Sequence, residues 1–110
     1  MTVESLRSCG VKVDEGLSRC MNNEAFYLRL VGMALEDAGF EKLRAAVEKG
    51  DLQAGFEAAH ALKGVLGNLS LTPIYEPVSE ITELLRAKTG TDYAPLLKQV
   101  ADAREMLRNL

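Results

Sequence analysis

The sequence of 110 residues predicts an all-α fold, most simply an antiparallel four-helix bundle with one or two short additional helices at its N-terminal end. Three observations carry that prediction. Apolar residues recur at three- and four-residue spacing over most of the chain, and no strand-like alternation of useful length interrupts them. Aromatic supply is small, with no Trp, three Tyr and three Phe, so a core must be built from Leu, Val, Ala and Met, which suits helices packed on helices. Capping and breaking residues divide the chain into segments of helix length. There is no repeat and no low-complexity tract, and the length fits one domain.

Residues 1–12 show no clear period and are read as a poorly determined, partly mobile N-terminal segment, with the bundle domain spanning 13–110. Asp14 is positioned to cap a short helix, "EGLSRCM", whose Leu17, Cys20 and Met21 fall at i, i+3 and i+4. Asn23 is an N-cap for "EAFYLRLVGMALEDA", where Phe26, Leu30, Met33 and Leu35 predict a broad apolar face. Gly39 breaks or bends that helix, and "FEKLRAAVEKG" resumes with Phe40, Leu43, Ala46 and Val47 on one side; Gly50 is its stop signal. Asp51 caps "LQAGFEAAHALKGVLGNL". Thr72 with Pro73 starts "PIYEPVSEITELLRAK", Pro77 loosens or bends its beginning, and Gly90 ends it. Thr91 or Asp92 opens the last helix, with Leu97, Val100, Ala103, Met106 and Leu107 in register.

The balance of charge excludes several classes of function. Thirteen basic and 16 acidic residues give a net charge of −3 with no basic block, so no surface is built to neutralise nucleic-acid phosphates. The N-terminus lacks the charged and apolar regions of a signal peptide, and no apolar run approaches the ~18 residues a bilayer span requires. A cytoplasmic location without membrane attachment is the expectation, with Cys9 and Cys20 as free thiols and Cys20 part of the packing. Metal and nucleotide chemistry lack support: one histidine with no second ligand nearby does not make a zinc or di-iron site, and no GxSxG, Walker-type or Rossmann motif is present.

The informative stretch is "AAHALKGVLGNL", residues 58–69, which contains the only histidine. At ~100° per residue, Leu52, Phe56, Ala59, Leu62, Leu66 and Leu69 cluster on the core side, and His60 lies roughly 110° from its centre, at the border of the exposed surface. Gln53, Phe56, Glu57, Lys63, Gly64 and Gly67 share its stripe. A helix-interior glycine costs roughly 1 kcal/mol relative to alanine, yet this helix carries Gly55, Gly64 and Gly67. Two of them leave room beside the imidazole for an attached group and for close approach of another protein. An ordinary imidazole is largely neutral near neutral pH, so one ring nitrogen is a usable nucleophile, and Lys63 is placed to offset the charge of a phosphoryl group bonded to it. Spacing alone does not separate this arrangement from an ordinary solvated histidine with a lysine at i+3.

The stretch "AAHALKG" resembles the signature of histidine phosphotransfer (HPt) domains. The likeness runs along about the whole chain: "VKVDEGLSRCMNNEAFYLRLVGMAL" is similar to the family's opening, and "LRAAVEKGDLQAGFEAAHALKG" to the segment leading into its active helix. The resemblance implies a four-helix bundle that relays phosphoryl groups between receiver domains, or from a hybrid histidine kinase to a response regulator. It carries the phosphorylated histidine onto His60, the lysine onto Lys63 and the first glycine onto Gly64. It implies no kinase activity and no bound cofactor, with Mg²⁺ held by the partner's receiver domain, and a monomer is the simplest state.

The chain departs from the family's pattern in four places. Val65 and Leu66 follow the Lys-Gly pair where small residues are common, and Ser70 stands where a second glycine is usual, with Gly67 as a partial substitute. The Glu or Gln that reaches the histidine from the neighbouring helix, about 22 residues on, is replaced by Thr82, with Glu80 and Glu83 close by. Thr82 and Glu57 are therefore the candidates to orient the imidazole. Pro73 and Pro77 make the start of that helix unusual. Two other readings compete. One is a helical adaptor that binds a receiver or another signalling protein through the same face without being phosphorylated. The other is the dimerisation hairpin of a sensor kinase, which Ala61 and the chain's length disfavour, because that family places an acidic residue directly after its histidine.

Overall fold

A computed structural model describes all 110 residues and is helical throughout. Seven helices follow one another: α1 (Val3–Ser8), α2 (Val13–Arg19), α3 (Glu24–Leu35), α4 (Gly39–Glu48), α5 (Leu52–Asn68), α6 (Thr72–Arg86) and α7 (Ala94–Arg108). Helix α5 packs between α4 and α6, α6 packs on α7, and Phe40 and Leu43 of α4 face Val100 of α7 across a shared groove. Short links between α4, α5, α6 and α7 turn the chain back each time, which produces the predicted antiparallel four-helix bundle. Helix α3 continues the wall beside α7, and the guanidinium of Arg104 fastens that junction, with Nε donating to the Leu35 carbonyl at 2.7 Å and the plane lying 4.4 Å over the Phe40 ring.

The N-terminal residues are ordered by burial rather than by local period. Thr2 and Ser5 form a reciprocal capping box at the start of α1, and Val3, Leu6 and Val11 all enter the core. The sequence reading of 1–12 as poorly determined missed this, because six helical residues are too few to display a period. Asp14 is not a cap. It lies inside α2, whose N-cap position is Lys12, and its carboxylate pairs with Arg7 at 2.8 Å. Helix α2 lies so close to α3 that a Cβ on Gly16 would sit 2.4 Å from the Tyr27 ring and 2.8 Å from the Leu69 carbonyl oxygen.

Of the face predicted for helix α3 only Leu35 is buried, and the helix turns a different stripe inward. Tyr27, Val31, Ala34 and Leu35 are buried, whereas Phe26 and Met33 are exposed and Leu30 is half-buried. The helix is apolar around most of its circumference, so periodicity does not choose between faces. Asn23 does cap it, accepting from the Phe26 amide at 3.0 Å. Helix α3 ends at Leu35 and Gly39 opens α4 instead of bending a continuous helix; a Cβ there would meet Leu62 at 2.9 Å. Phe40, Leu43 and Ala46 are buried as predicted.

Helix α6 runs through Pro77 without interruption, with the proline itself buried, and Leu71 rather than Thr72 holds the N-cap position. Its end is made by Lys88, in the left-handed conformation at φ 54°, and not by Gly90. Of the two candidates for opening α7, Asp92 makes the bond, accepting from the Ala94 amide at 3.0 Å. Val100 and Leu107 are buried along α7, while Met106 is exposed. Cys20 is buried and both cysteines are free.

Candidate functional site

Helix α5 presents the site because its two sides differ. Asp51 caps it, accepting from the Ala54 amide at 3.0 Å, and Ala59, Leu62 and Leu66 hold it in the core. The opposite side exposes His60, Ala61, Gly64 and Val65. The imidazole of His60 is thus on the surface of the most enclosed helix of the bundle, fixed in backbone position but open to a partner.

The ring of His60 lies on that of Phe56, one turn earlier, with centroids 5.5 Å apart and planes 12° from parallel. Phe56 is half-buried, and the guanidinium of Arg86 from α6 lies 4.9 Å from its centroid. Arg86 also pairs with Glu83 at 3.2 Å, and the other oxygen of Glu83 faces the Lys63 ammonium at 3.5 Å. Arg86 foremost, and Lys63 after it, hold the exposed Glu83 carboxyl below the usual carboxylate range. Two cations from adjacent helices, Lys63 within the His60 stripe and Arg86 over Phe56, are therefore joined by one carboxylate. The Lys63 contact is long and exposed enough to exchange for a better anion.

The two glycines of the stripe have different surroundings. A Cβ on Gly64 would meet nothing within 4 Å, so the backbone there is open to a partner. A Cβ on Gly67 would stand 3.0 Å from the Tyr75 ring, so the space at Gly67 is taken by α6 and not left clear for a partner as predicted. Thr82 lies at the centre of the bundle, fully buried, and donates to the Val78 carbonyl at 2.7 Å; it is not placed to orient the imidazole. Glu57 is exposed and accepts from Gln53 at 3.2 Å. Neither ring nitrogen of His60 has a hydrogen-bond partner within the chain, and the ring stacks on Phe56. Phe56 was legible as an aromatic at i−4; Arg86 was not, since only the packing of α6 on α5 brings it there.

Ser70 explains how the chain manages without the second glycine. It occupies the left-handed position just beyond α5 at φ 57°, its amide donates to Gly67 and that of Leu71 donates back to Leu66. This is the backbone pattern that usually recruits glycine. Its hydroxyl accepts from Arg19 at 2.8 Å and donates to Glu15 at 3.3 Å, while Arg19 also donates to the Gly67 and Asn68 carbonyls, each at 3.1 Å. Helix α2 thereby closes the C-terminal end of the helix that carries His60.

The family model of the Hpt domain matches residues 29–110. The chain belongs to the Hpt domain family. Comparison with curated proteins and with solved structures gives no significant match. The match includes His60, Lys63 and Gly64 and begins inside α3, so α1 and α2 lie outside it. Hpt domains are phosphotransfer modules of two-component signalling and interact with receiver domains. No helix of this one is long and apolar enough to cross a membrane.

Proposed function

We propose that this Hpt domain is a phosphorelay intermediate in which His60 accepts a phosphoryl group from a receiver-domain aspartate and returns it to another. The observation that carries the reading is an exposed imidazole, within the family-matched segment, with a lysine and the open backbone of Gly64 one helical turn further on. In the forward step a ring-nitrogen lone pair attacks phosphorus. The N–P bond forms as the acyl-phosphate P–O bond breaks, the aspartate leaves as carboxylate, and the second ring nitrogen keeps its proton. Lys63 exchanges its 3.5 Å contact with Glu83 for the phosphoryl oxygens. The partner supplies Mg²⁺ and in-line alignment, and this chain supplies the nucleophile and a nearby cation. The domain carries phosphate without kinase activity of its own.

The receiver, whether of a response regulator or a hybrid kinase, covers the open backbone at Gly64. Next to it Val65 and Met33 are exposed around a shallow groove that Leu30 also lines, which provides apolar contact of the kind protein interfaces use at their centres. The test is transfer from a phosphorylated, Mg²⁺-bound receiver domain. The wild-type protein becomes labelled, with label lost in acid and retained in alkali; His60→Gln takes up none while keeping its helical circular dichroism; Lys63→Ala is labelled more slowly. Label on a folded His60→Gln protein removes the assignment, and undiminished signalling by that variant would establish the adaptor reading instead.

A further inference from the structure

We infer that Phe56 is the positioning residue for the phosphoacceptor ring and that Arg86 holds Phe56 in place. The inference rests on His60 being that acceptor, and it addresses what orients an imidazole that has no hydrogen-bonding partner. The neighbouring-helix position from which an orienting group would reach the ring is occupied by Thr82, and its hydroxyl is engaged with Val78 inside the core. With no hydrogen bond to the ring, orientation falls to its aromatic contact, the near-parallel stack on Phe56 at 5.5 Å and 12°. A stack restricts an imidazole differently from a hydrogen bond. It selects the side-chain rotamer and the ring plane, and it leaves both nitrogens free, one to attack and one to keep its proton.

Phe56 in turn needs support, because an exposed i,i+4 aromatic pair is worth only a few tenths of a kcal/mol on a helix. Here one side of the Phe56 side chain is buried in the α5–α6 contact, and the Arg86 guanidinium lies 4.9 Å from its centroid. Arg86 is itself tethered to Glu83 at 3.2 Å, so the chain of contacts from α6 to the imidazole passes through Glu83, Arg86 and Phe56. An unsupported imidazole on a helix samples about two side-chain wells and about two ring orientations, so selecting one productive state raises the fraction of competent encounters by about fourfold.

The experiment combines two readouts on the wild type, Phe56→Leu, Phe56→Tyr and Arg86→Gln. The first is the chemical shift of the His60 ring protons in the unphosphorylated protein, which the Phe56 ring current displaces upfield. The second is the initial rate of transfer from a phosphorylated, Mg²⁺-bound receiver domain. In Phe56→Leu, which keeps the apolar volume, the ring protons lose their displacement and transfer slows by about fourfold. Phe56→Tyr restores both, and Arg86→Gln moves both in the direction of Phe56→Leu. Unperturbed ring protons in the wild type, or a Phe56→Leu rate equal to wild type, overturns the role of Phe56. Wild-type values of both in Arg86→Gln remove Arg86 from the arrangement. A wild-type protein that takes up no phosphoryl group overturns the relay reading itself, while the proton shifts still report the stack, so the two failures are distinct.

Discussion

Replacing Gly64 by alanine separates what the bundle needs from what a partner needs. Gly64 lies well inside α5, and a Cβ built there meets no atom within 4 Å. Stability should therefore follow helix propensity alone, and alanine is worth roughly 0.8–1 kcal/mol over glycine in a helix interior. For a domain of this size that raises Tm by about 4 °C. If the open backbone is the approach surface for a receiver, the same methyl group intrudes on the docked partner. Overpacking of a close contact costs about 1–3 kcal/mol, which slows transfer to His60 roughly 5- to 150-fold. Thermal unfolding followed by circular dichroism, beside transfer from a phosphorylated receiver domain, measures both. A variant that is stabilised and transfers at the wild-type rate refutes the assignment of Gly64 to partner clearance. A destabilised variant refutes the account of its surroundings. Gly67→Ala is the internal control, since the Tyr75 ring 3.0 Å from the added carbon must yield and offsets the propensity gain.

Two further outcomes concern the scaffold. Gly16→Ala should destabilise the domain by about 1–3 kcal/mol, read as a lower denaturant midpoint, because the added carbon meets the Tyr27 ring at 2.4 Å and the Leu69 carbonyl at 2.8 Å, and a backbone oxygen does not swing away. Burial pushes the Tyr27 hydroxyl up to about 12, with a smaller contribution from Cys20. Its neutral form donates to the Leu69 carbonyl at 2.9 Å, so this contribution to stability is complete below the ordinary tyrosine value near ~10 and is lost as pH rises through the folded value. Unfolding free energy measured across that alkaline window should fall for the wild type more steeply than for Tyr27→Phe; parallel curves would contradict the assignment.

Much of the bundle was readable from local chemistry. Asn23 and Asp51 cap helices because a short side-chain oxygen satisfies amides that have no partner within the helix, a property of a few consecutive residues. Ala59, Leu62, Leu66 and Leu69 occupy the core because α5 is apolar on one side and broken by His60, Lys63 and Gly64 on the other, so its pattern admits one orientation. That is also why His60 could be placed at the surface and beside Lys63 from spacing alone.

Local chemistry does not decide the structure where the pattern is degenerate or the stabilising partner lies far along the chain. Phe26, Leu30 and Met33 form as regular a stripe on α3 as Tyr27, Val31 and Ala34. Burial went to the second set because the Tyr27 hydroxyl reaches the Leu69 carbonyl, 42 positions away, and Gly16 lets α2 close over its ring. Ser70 adopts a backbone conformation that local sequence assigns to glycine, because Arg19 and Glu15 bind its hydroxyl from α2. At the site, sequence determined that the imidazole of His60 is exposed, which cation shares its stripe and where the helix is bare. Tertiary structure decided that Thr82 faces the core, that Tyr75 fills the space at Gly67, and that Arg86 sits over the ring on which His60 lies. Helix periodicity specifies the direction of each side chain around its own axis, but which atoms of a second helix meet it depends on packing between residues remote in sequence.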